Sequence, residues 1–116
     1  MDDTDGKILD SEKGLSLVDN DGELYRLLLD TFLSDAKFDP ESFGKLVSAG
    51  NRDGAASYIH ALKGAGRQIG AERLAAAGQR LEDVLRGKAG GNVAALAGKV
   101  LTEYELASEA VRNFRL

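Results

Sequence analysis

Hydrophobic residues recur at intervals of three and four along most of the chain, the spacing of one face of an α-helix. The first apolar stripe lies in the segment 20–37 and consists of Leu24, Leu27, Leu28 and Phe32. A second helix is predicted to begin at Asp39, because aspartate is a favoured N-cap and Pro40 suits the first helical position. The apolar face of that helix consists of Phe43, Leu46 and Val47, and Gly50 is expected to end it.

The second half of the chain predicts three more helices, separated by glycines. One runs from about residue 53 to residue 69 and is broken by Gly70, and the next begins at about residue 71. The stripe of that next helix consists of Leu74, Ala77, Gly78, Leu81 and Leu85. A connection at Gly87 and Gly90-Gly91 leads to a last helix, with apolar residues Val93, Leu96, Val100, Leu101 and Tyr104. We therefore predict an all-α, up-and-down four-helix bundle with an additional short N-terminal helix.

The length of 116 residues fits one domain. Residues 1–7, MDDTDGK, are predicted to form a flexible acidic leader, and residues 8–116 the helical bundle domain. No apolar run approaches the roughly 20 residues of a membrane span, and the N-terminus lacks the basic-then-apolar order of a secretion signal. We therefore expect a cytoplasmic protein without a membrane partner.

Charge and composition exclude two common classes of function. The net charge is −4, whereas nucleic-acid binders usually carry a basic field, so nucleic acid is not expected as a partner. The chain has one histidine, His60, and no cysteine, and it cannot build a typical zinc site. No metal site is expected.

The lone histidine lies in the third predicted helix, in the stretch HALKGAGRQIG at residues 60–70. At about 100° per residue, the apolar positions cluster near the side opposite His60; they are Tyr58, Leu62, Gly66 and Ile69. The side that His60 shares contains Ser57, Lys63, Gly64 and Arg67. His60 is therefore predicted to face outward or to border a groove.

The helix register predicts a carboxylate partner for this imidazole. His60 precedes Gly70 by ten residues, or about 15 Å along the helix. If the next helix folds back antiparallel, Arg80, Leu81 and Glu82 lie at the level of the histidine. Leu81 belongs to the apolar stripe and Glu82 lies at its edge, so we expect Glu82 to hydrogen-bond one imidazole nitrogen. This bond would fix the tautomer and leave the other nitrogen as a nucleophile.

Two cations and a glycine follow His60 on its predicted face. Lys63 and Arg67 come one and two turns later, where they would offset the charge of a phosphoryl group. A glycine in the middle of a helix, such as Gly64, lowers stability by about 1 kcal/mol relative to alanine. Because this residue is unfavourable for the helix itself, we expect it to have another role, which is to leave space beside the imidazole for a partner. Other chemistries fit less well. A dinucleotide-binding glycine loop follows a strand, whereas no strand precedes GAGRQIG. No serine lies in a recognisable nucleophile elbow, so serine-nucleophile catalysis is not indicated.

The motif H-A-L-K-G at residues 60–64, followed by Gly70, Leu74 and Leu81-Glu82, resembles the histidine-containing phosphotransfer (Hpt) family of two-component phosphorelays. The segment 14–32, GLSLVDNDGELYRLLLDTF, also looks like the opening of many such domains, and the likeness covers roughly residues 8–113. The resemblance implies a four-helix bundle with an exposed histidine that is phosphorylated on Nε2. It makes His60 the phosphoryl carrier, Lys63 an electrostatic support for the phosphate, and Glu82 the partner of Nδ1.

The resemblance also implies the partners. The chain would be a phosphorelay intermediate that exchanges a phosphoryl group with the aspartate of response-regulator receiver domains, and a histidine kinase would be the other partner. It would be a phosphocarrier and not an enzyme, with no ATP site and no cofactor of its own, since the receiver supplies Mg²⁺. The expected docking residues, beside part of the helix after Asp21, are Ala56, Ser57, Gly64, Arg67 and Gln68. A monomer is expected.

Two other functions stay open at this point. The chain could be a helical interaction module that binds a receiver or a histidine kinase without carrying phosphate, or a small enzyme in which His60 is a general base in a deep pocket. A free-standing carrier and a domain of a larger kinase are both compatible with the sequence.

Overall fold

A computed structural model describes residues 6–115 of the chain, and within this range it contains helices and no strand. The helices are α1 (Ser11–Ser16), α2 (Gly22–Asp35), α3 (Pro40–Ser48), α4 (Arg52–Ile69), α5 (Glu72–Leu85) and α6 (Val93–Asn113). Helices α2 and α5 each pack against both α4 and α6, which closes a four-helix bundle, while α1 and α3 pack against α4. The predicted all-α bundle fold is confirmed. No helix within residues 6–115 has the length and apolar character needed to cross a membrane.

Side-chain caps fix where the long helices begin. Asp21, Asp39, Asn51 and Asn92 each accept a hydrogen bond from a backbone N–H of the first turn that follows. Such caps satisfy donors that have no partner within the helix. Helix α4 ends at Gly70, whose φ of +87° is a left-handed conformation that favours glycine. Helix α5 begins two residues later, so α4 and α5 form a tight hairpin with a fixed register.

The core of α2 lies on a different side of the helix from the predicted stripe. The buried residues are Tyr25, Leu29 and Phe32, whereas Leu24 is 40% exposed and Leu27 is 59% exposed. The prediction that Leu24 and Leu27 belong to the core stripe was wrong. The physical reason is Tyr25, whose hydroxyl group donates a 2.7 Å hydrogen bond to the backbone oxygen of Ile69 and draws its own face of α2 inward.

The N-terminal segment is attached to the α4–α5 hairpin from residue 7 onward. The backbone N–H of Lys7 donates to Glu72 Oε1 at 3.0 Å, and the carbonyl oxygen of Lys7 accepts from the N–H of Arg73 at 3.1 Å. The N–H of Asp10 donates to the Gly70 carbonyl oxygen at 2.7 Å. Residues 1–5 of the predicted leader lie outside the described residues, and the division at residues 7 and 8 stays a prediction.

Candidate functional site

The α4–α5 hairpin brings His60 and Glu82 together. The imidazole Nδ1 lies 3.1 Å from Glu82 Oε2 and 3.3 Å from Oε1. The His60 side chain is 63% exposed, whereas that of Glu82 is only 7% exposed. Because a carboxylate can only accept, this contact selects the tautomer of the neutral imidazole that has its proton on Nδ1 and its lone pair on Nε2. No residue in the described part of the chain hydrogen-bonds to Nε2, so this nitrogen is available to a reactant from solvent.

Glu82 is held in its ionised form by cations as well as by the imidazole. Its Oε1 accepts from the Lys63 ammonium at 2.7 Å, and its Oε2 accepts from Arg86 Nε at 2.9 Å. Burial alone would raise the pKa of Glu82, but the hydrogen bonds from Lys63 and Arg86 outweigh it and lower this pKa from 4.5 to about 2. Glu82 is therefore an anion at every physiological pH.

Lys63 does not occupy the outward face on which the sequence placed it. The residue is only 5% exposed, and its ammonium group lies between α4 and α5, bonded to Glu82 Oε1 and to Gln79 Oε1 at 3.0 Å. Gly78 makes this burial feasible, because a β-carbon there would lie 3.2 Å from Lys63 Cβ. The prediction of an exposed cation at position 63 is thus corrected. The lysine turns inward because α5 offers it a buried counter-ion.

Two polar residues of α5, Gln79 and Asp83, and its C-cap residue Arg86 belong to this site, although sequence reasoning did not select them. Arg86 contacts Glu82, and Gln79 accepts from Lys63 through Oε1 while its Nε2 donates to Asp83 Oδ1 at 2.8 Å. Their spacing from Glu82 was a usable signal: positions 79 and 86 lie three residues before and four after it, on the same helical face.

The predicted docking residues divide into exposed and buried positions. Ser57, Arg67 and Gln68 are exposed, and a β-carbon at Gly64 would meet nothing within 4 Å, which agrees with an open surface there. Ala56, by contrast, is 0% exposed, so its prediction as a docking residue was wrong. It faces the core because it lies three residues before Ile59, at the centre of the buried face of α4.

A groove between α2 and α4 includes Ala61, the residue after His60, and was not predicted in detail. Its apolar lining includes Leu28, Tyr58, Ala61, Leu62 and Ala65. The charged and polar residues at its margin are Asp35, Lys37 and Gln68. The groove therefore reaches the turn of α4 that contains His60.

Comparison with known proteins identifies the class of this fold and site. The family model described as Hpt domain matches residues 27–113, which cover most of the chain and include every residue of the site. The chain belongs to the Hpt domain family. Hpt domains are phosphotransfer modules of two-component signalling; they act as phosphocarriers together with receiver and kinase proteins and are not enzymes by themselves. Searches among curated proteins and among solved structures gave no match.

Proposed function

We propose that His60 accepts a phosphoryl group from the aspartate of a receiver domain and donates it to another, as an intermediate of a phosphorelay. The observation that carries this proposal is an exposed imidazole whose Nδ1 rests on a buried, ionised carboxylate. This arrangement presents Nε2 as a nucleophile in one tautomer and one orientation. Oriented groups react faster because the entropy of alignment is lost before the reaction begins.

The transfer step follows from this geometry. The lone pair on Nε2 of His60 attacks the phosphorus of the receiver's acyl phosphate, a P–N bond forms, and the P–O bond to the aspartate breaks. The aspartate leaves as a carboxylate with the electrons of that bond. The ring keeps its proton on Nδ1 and becomes cationic, and Glu82 stabilises that charge through the bond already present at 3.1 Å. The reverse step uses the same contacts.

The surrounding charges favour a phosphoryl group on the ring. The network beside His60 contains three cations, Lys63, Arg67 and Arg86, and two carboxylates, Glu82 and Asp83, so it carries a net positive charge. Lys63 acts from inside the protein, through Glu82, and Arg67 adds an exposed cation on α4. We propose that the receiver supplies the Mg²⁺ that neutralises the shared phosphate, as phosphoryl transfer in general requires.

The partner surface is proposed to surround His60. Exposed Ser57 and Gln68, the open position at Gly64 and the groove between α2 and α4 would contact a receiver domain. Leu27 lies on the same helix as the groove residue Leu28 and is itself largely exposed, which extends the apolar area available for docking. A histidine kinase is the proposed source of the phosphoryl group through its own receiver.

The test incubates the purified protein with a phosphorylated receiver and Mg²⁺, beside the His60→Gln variant. Phosphate label on the wild-type protein alone, lost in acid and stable in base, is the expected result. Because His60 is the only histidine of the chain, any phosphohistidine signal belongs to this residue. If several unrelated receivers and direct phosphoramidate treatment leave the folded protein unmodified, the proposal fails. The alternative is then a helical interaction module, in which His60→Gln retains binding to the receiver or kinase.

A further inference from the structure

The side chain of Gln79 links the buried lysine to a second acidic residue. Gln79 Oε1 accepts from the Lys63 ammonium at 3.0 Å and from Arg67 Nη2 at 3.4 Å, and Gln79 Nε2 donates to Asp83 Oδ1 at 2.8 Å. All three neighbours are charged, and each requires a particular end of the amide: the cations need its oxygen and the carboxylate needs its nitrogen. Gln79 therefore has one favourable orientation.

Asp83 supplies the restraint that selects this orientation. A carboxylate cannot donate, so only the NH₂ group of Gln79 can face it. Without Asp83, rotation of the amide by a half-turn would turn the NH₂ group towards the Lys63 ammonium, where two donors would face each other. The pair is one helical turn apart on α5, a spacing at which side chains meet.

Lys63 depends on both of its acceptors because it has little access to water. Two of its three N–H donors are taken by Glu82 and Gln79. Loss of the Gln79 acceptor would leave a donor of a buried ammonium unsatisfied, and the lysine would then move towards solvent to regain a partner. Its departure would release Glu82 Oε1, and with it one of the two oxygens that face the imidazole.

We propose that Asp83 and Gln79 are positioning residues, which hold the Lys63 ammonium on Glu82 and thereby hold Glu82 against Nδ1 of His60. The chain of contacts runs from Asp83 through Gln79, Lys63 and Glu82 to the imidazole. This inference rests on the proposed function, since its effect on rate is measured through phosphoryl transfer. It also has a consequence that does not depend on transfer: the Lys63 ammonium must be immobilised.

The kinetic test replaces Gln79 by methionine, which has a similar length and no strong acceptor. We expect the maximal rate of transfer from a phosphorylated receiver to fall about fivefold or more, the equivalent of one net hydrogen bond. The receiver concentration at half-maximal rate should change much less. The matched control is Glu105→Met on α6, which alters an exposed side chain that hydrogen-bonds to no residue in the range 6–115 and should leave the rate unchanged.

A pair of charge-exchanging substitutions tests the link between the two positioning residues. Gln79→Glu alone puts two carboxylates at the distance of the present hydrogen bond and should slow transfer. Adding Asp83→Asn gives the residue at 83 a donor for the new carboxylate, keeps an acceptor for Lys63, and keeps the net charge of the wild type. The double variant should recover most of the rate. Additive effects of the two substitutions would show that the residues act separately and would overturn the proposal.

An NMR measurement of the Lys63 ammonium tests the proposal independently of the rate of phosphoryl transfer. In the wild-type protein, the ε-ammonium of Lys63 should give a ¹H–¹⁵N signal that exchanges slowly with water, because it is buried and hydrogen-bonded. This signal should be lost in Gln79→Met and Asp83→Ala and retained in Glu105→Met. A Lys63 signal that persists in both α5 variants of an intact fold would overturn the inference.

The two proposals fail in different ways. If the wild-type protein takes up no phosphate on His60, the proposed function fails, and the Lys63 signal still decides the positioning role. If the wild-type protein is phosphorylated and Gln79→Met is phosphorylated at the same rate, the proposed function stands and the positioning role of Gln79 and Asp83 is refuted.

Discussion

Replacement of Glu82 by glutamine should lower the stability of the fold in a pH-dependent manner. The buried carboxylate accepts hydrogen bonds from Lys63, Arg86 and the imidazole of His60. Glutamine has nearly the same shape, but it offers one acceptor oxygen and turns an NH₂ group towards a donor. The buried ammonium of Lys63 would also lose its counter-ion, and removal of one partner from a buried pair is strongly destabilising.

The magnitude follows from the pKa of Glu82, which is lowered from 4.5 to about 2 in the folded protein. This difference corresponds to about 3 kcal/mol of stability at neutral pH. Since the folded-state pKa lies below the unfolded value, the contribution is fully present above a pH of about 4.5 and is lost as the pH falls towards about 2. A domain of this size is typically stable by about 5–15 kcal/mol, so we expect the variant to remain folded at pH 7.

Urea unfolding of the wild-type protein and Glu82→Gln at several pH values measures the effect. The difference in unfolding free energy should be about 3 kcal/mol at pH 7 and less than half of that at about pH 3. Glu105→Gln, on the exposed face of α6, should show little difference at either pH. An equal difference between the wild-type protein and Glu82→Gln at both pH values would refute the reasoning, because it would show that the ionised state of Glu82 does not contribute.

Three further substitutions test the packing around the site. Gly64→Ala should raise the unfolding free energy by about 1 kcal/mol, because its methyl group meets nothing within 4 Å and alanine favours the helix. Gly78→Ala has the same gain in helix propensity, but its methyl carbon would lie 3.2 Å from Lys63 Cβ. We therefore expect Gly78→Ala to have a lower melting temperature than Gly64→Ala. Equal melting temperatures of the two variants would contradict this packing. Tyr25→Phe leaves the buried Ile69 carbonyl oxygen without its 2.7 Å partner and should cost about 1–2 kcal/mol in urea unfolding, whereas an unchanged midpoint would show that this bond is not stabilising.

The pairing of His60 with Glu82 could be predicted from the sequence because it depends on local geometry. The helical repeat gives the rise per residue, and Gly70 marks the turn from which both helices are counted. A capped start at Asp39 and glycine breaks likewise placed the helix boundaries to within one or two residues of those observed. These features follow from the geometry of single helices and of one turn, and they do not depend on how helices distant in sequence pack.

The position of Lys63 could not be predicted in the same way. A charged residue is normally assigned to the solvent side, and the apolar positions selected on α4 were consistent with that assignment. The buried face is in fact centred near Ile59, and Lys63 lies one turn later on the same face. Its burial is favourable only because Glu82 and Gln79 meet it from another helix, a condition that the α4 sequence does not contain.

Helix α2 illustrates a second limit. Its leucines occur at four of six consecutive positions from 24 to 29 and so mark several sides of the helix at once. Tyr25 determines which of these sides is buried. Its hydroxyl group hydrogen-bonds to Ile69 at the end of α4, a contact between residues 44 positions apart in sequence. As a result, Leu24 and Leu27 lie on the surface and not in the core.

Every side chain in the network around His60 comes from one hairpin, between residues 60 and 86 and closed by the turn at Gly70. Contacts over such short sequence distances need little loop closure, and they form quickly during folding. We therefore expect this network to assemble as soon as α4 and α5 pair, before α6 completes the bundle. Under the proposed function, substitutions on α2 would change the docking surface without replacing any side chain of this network.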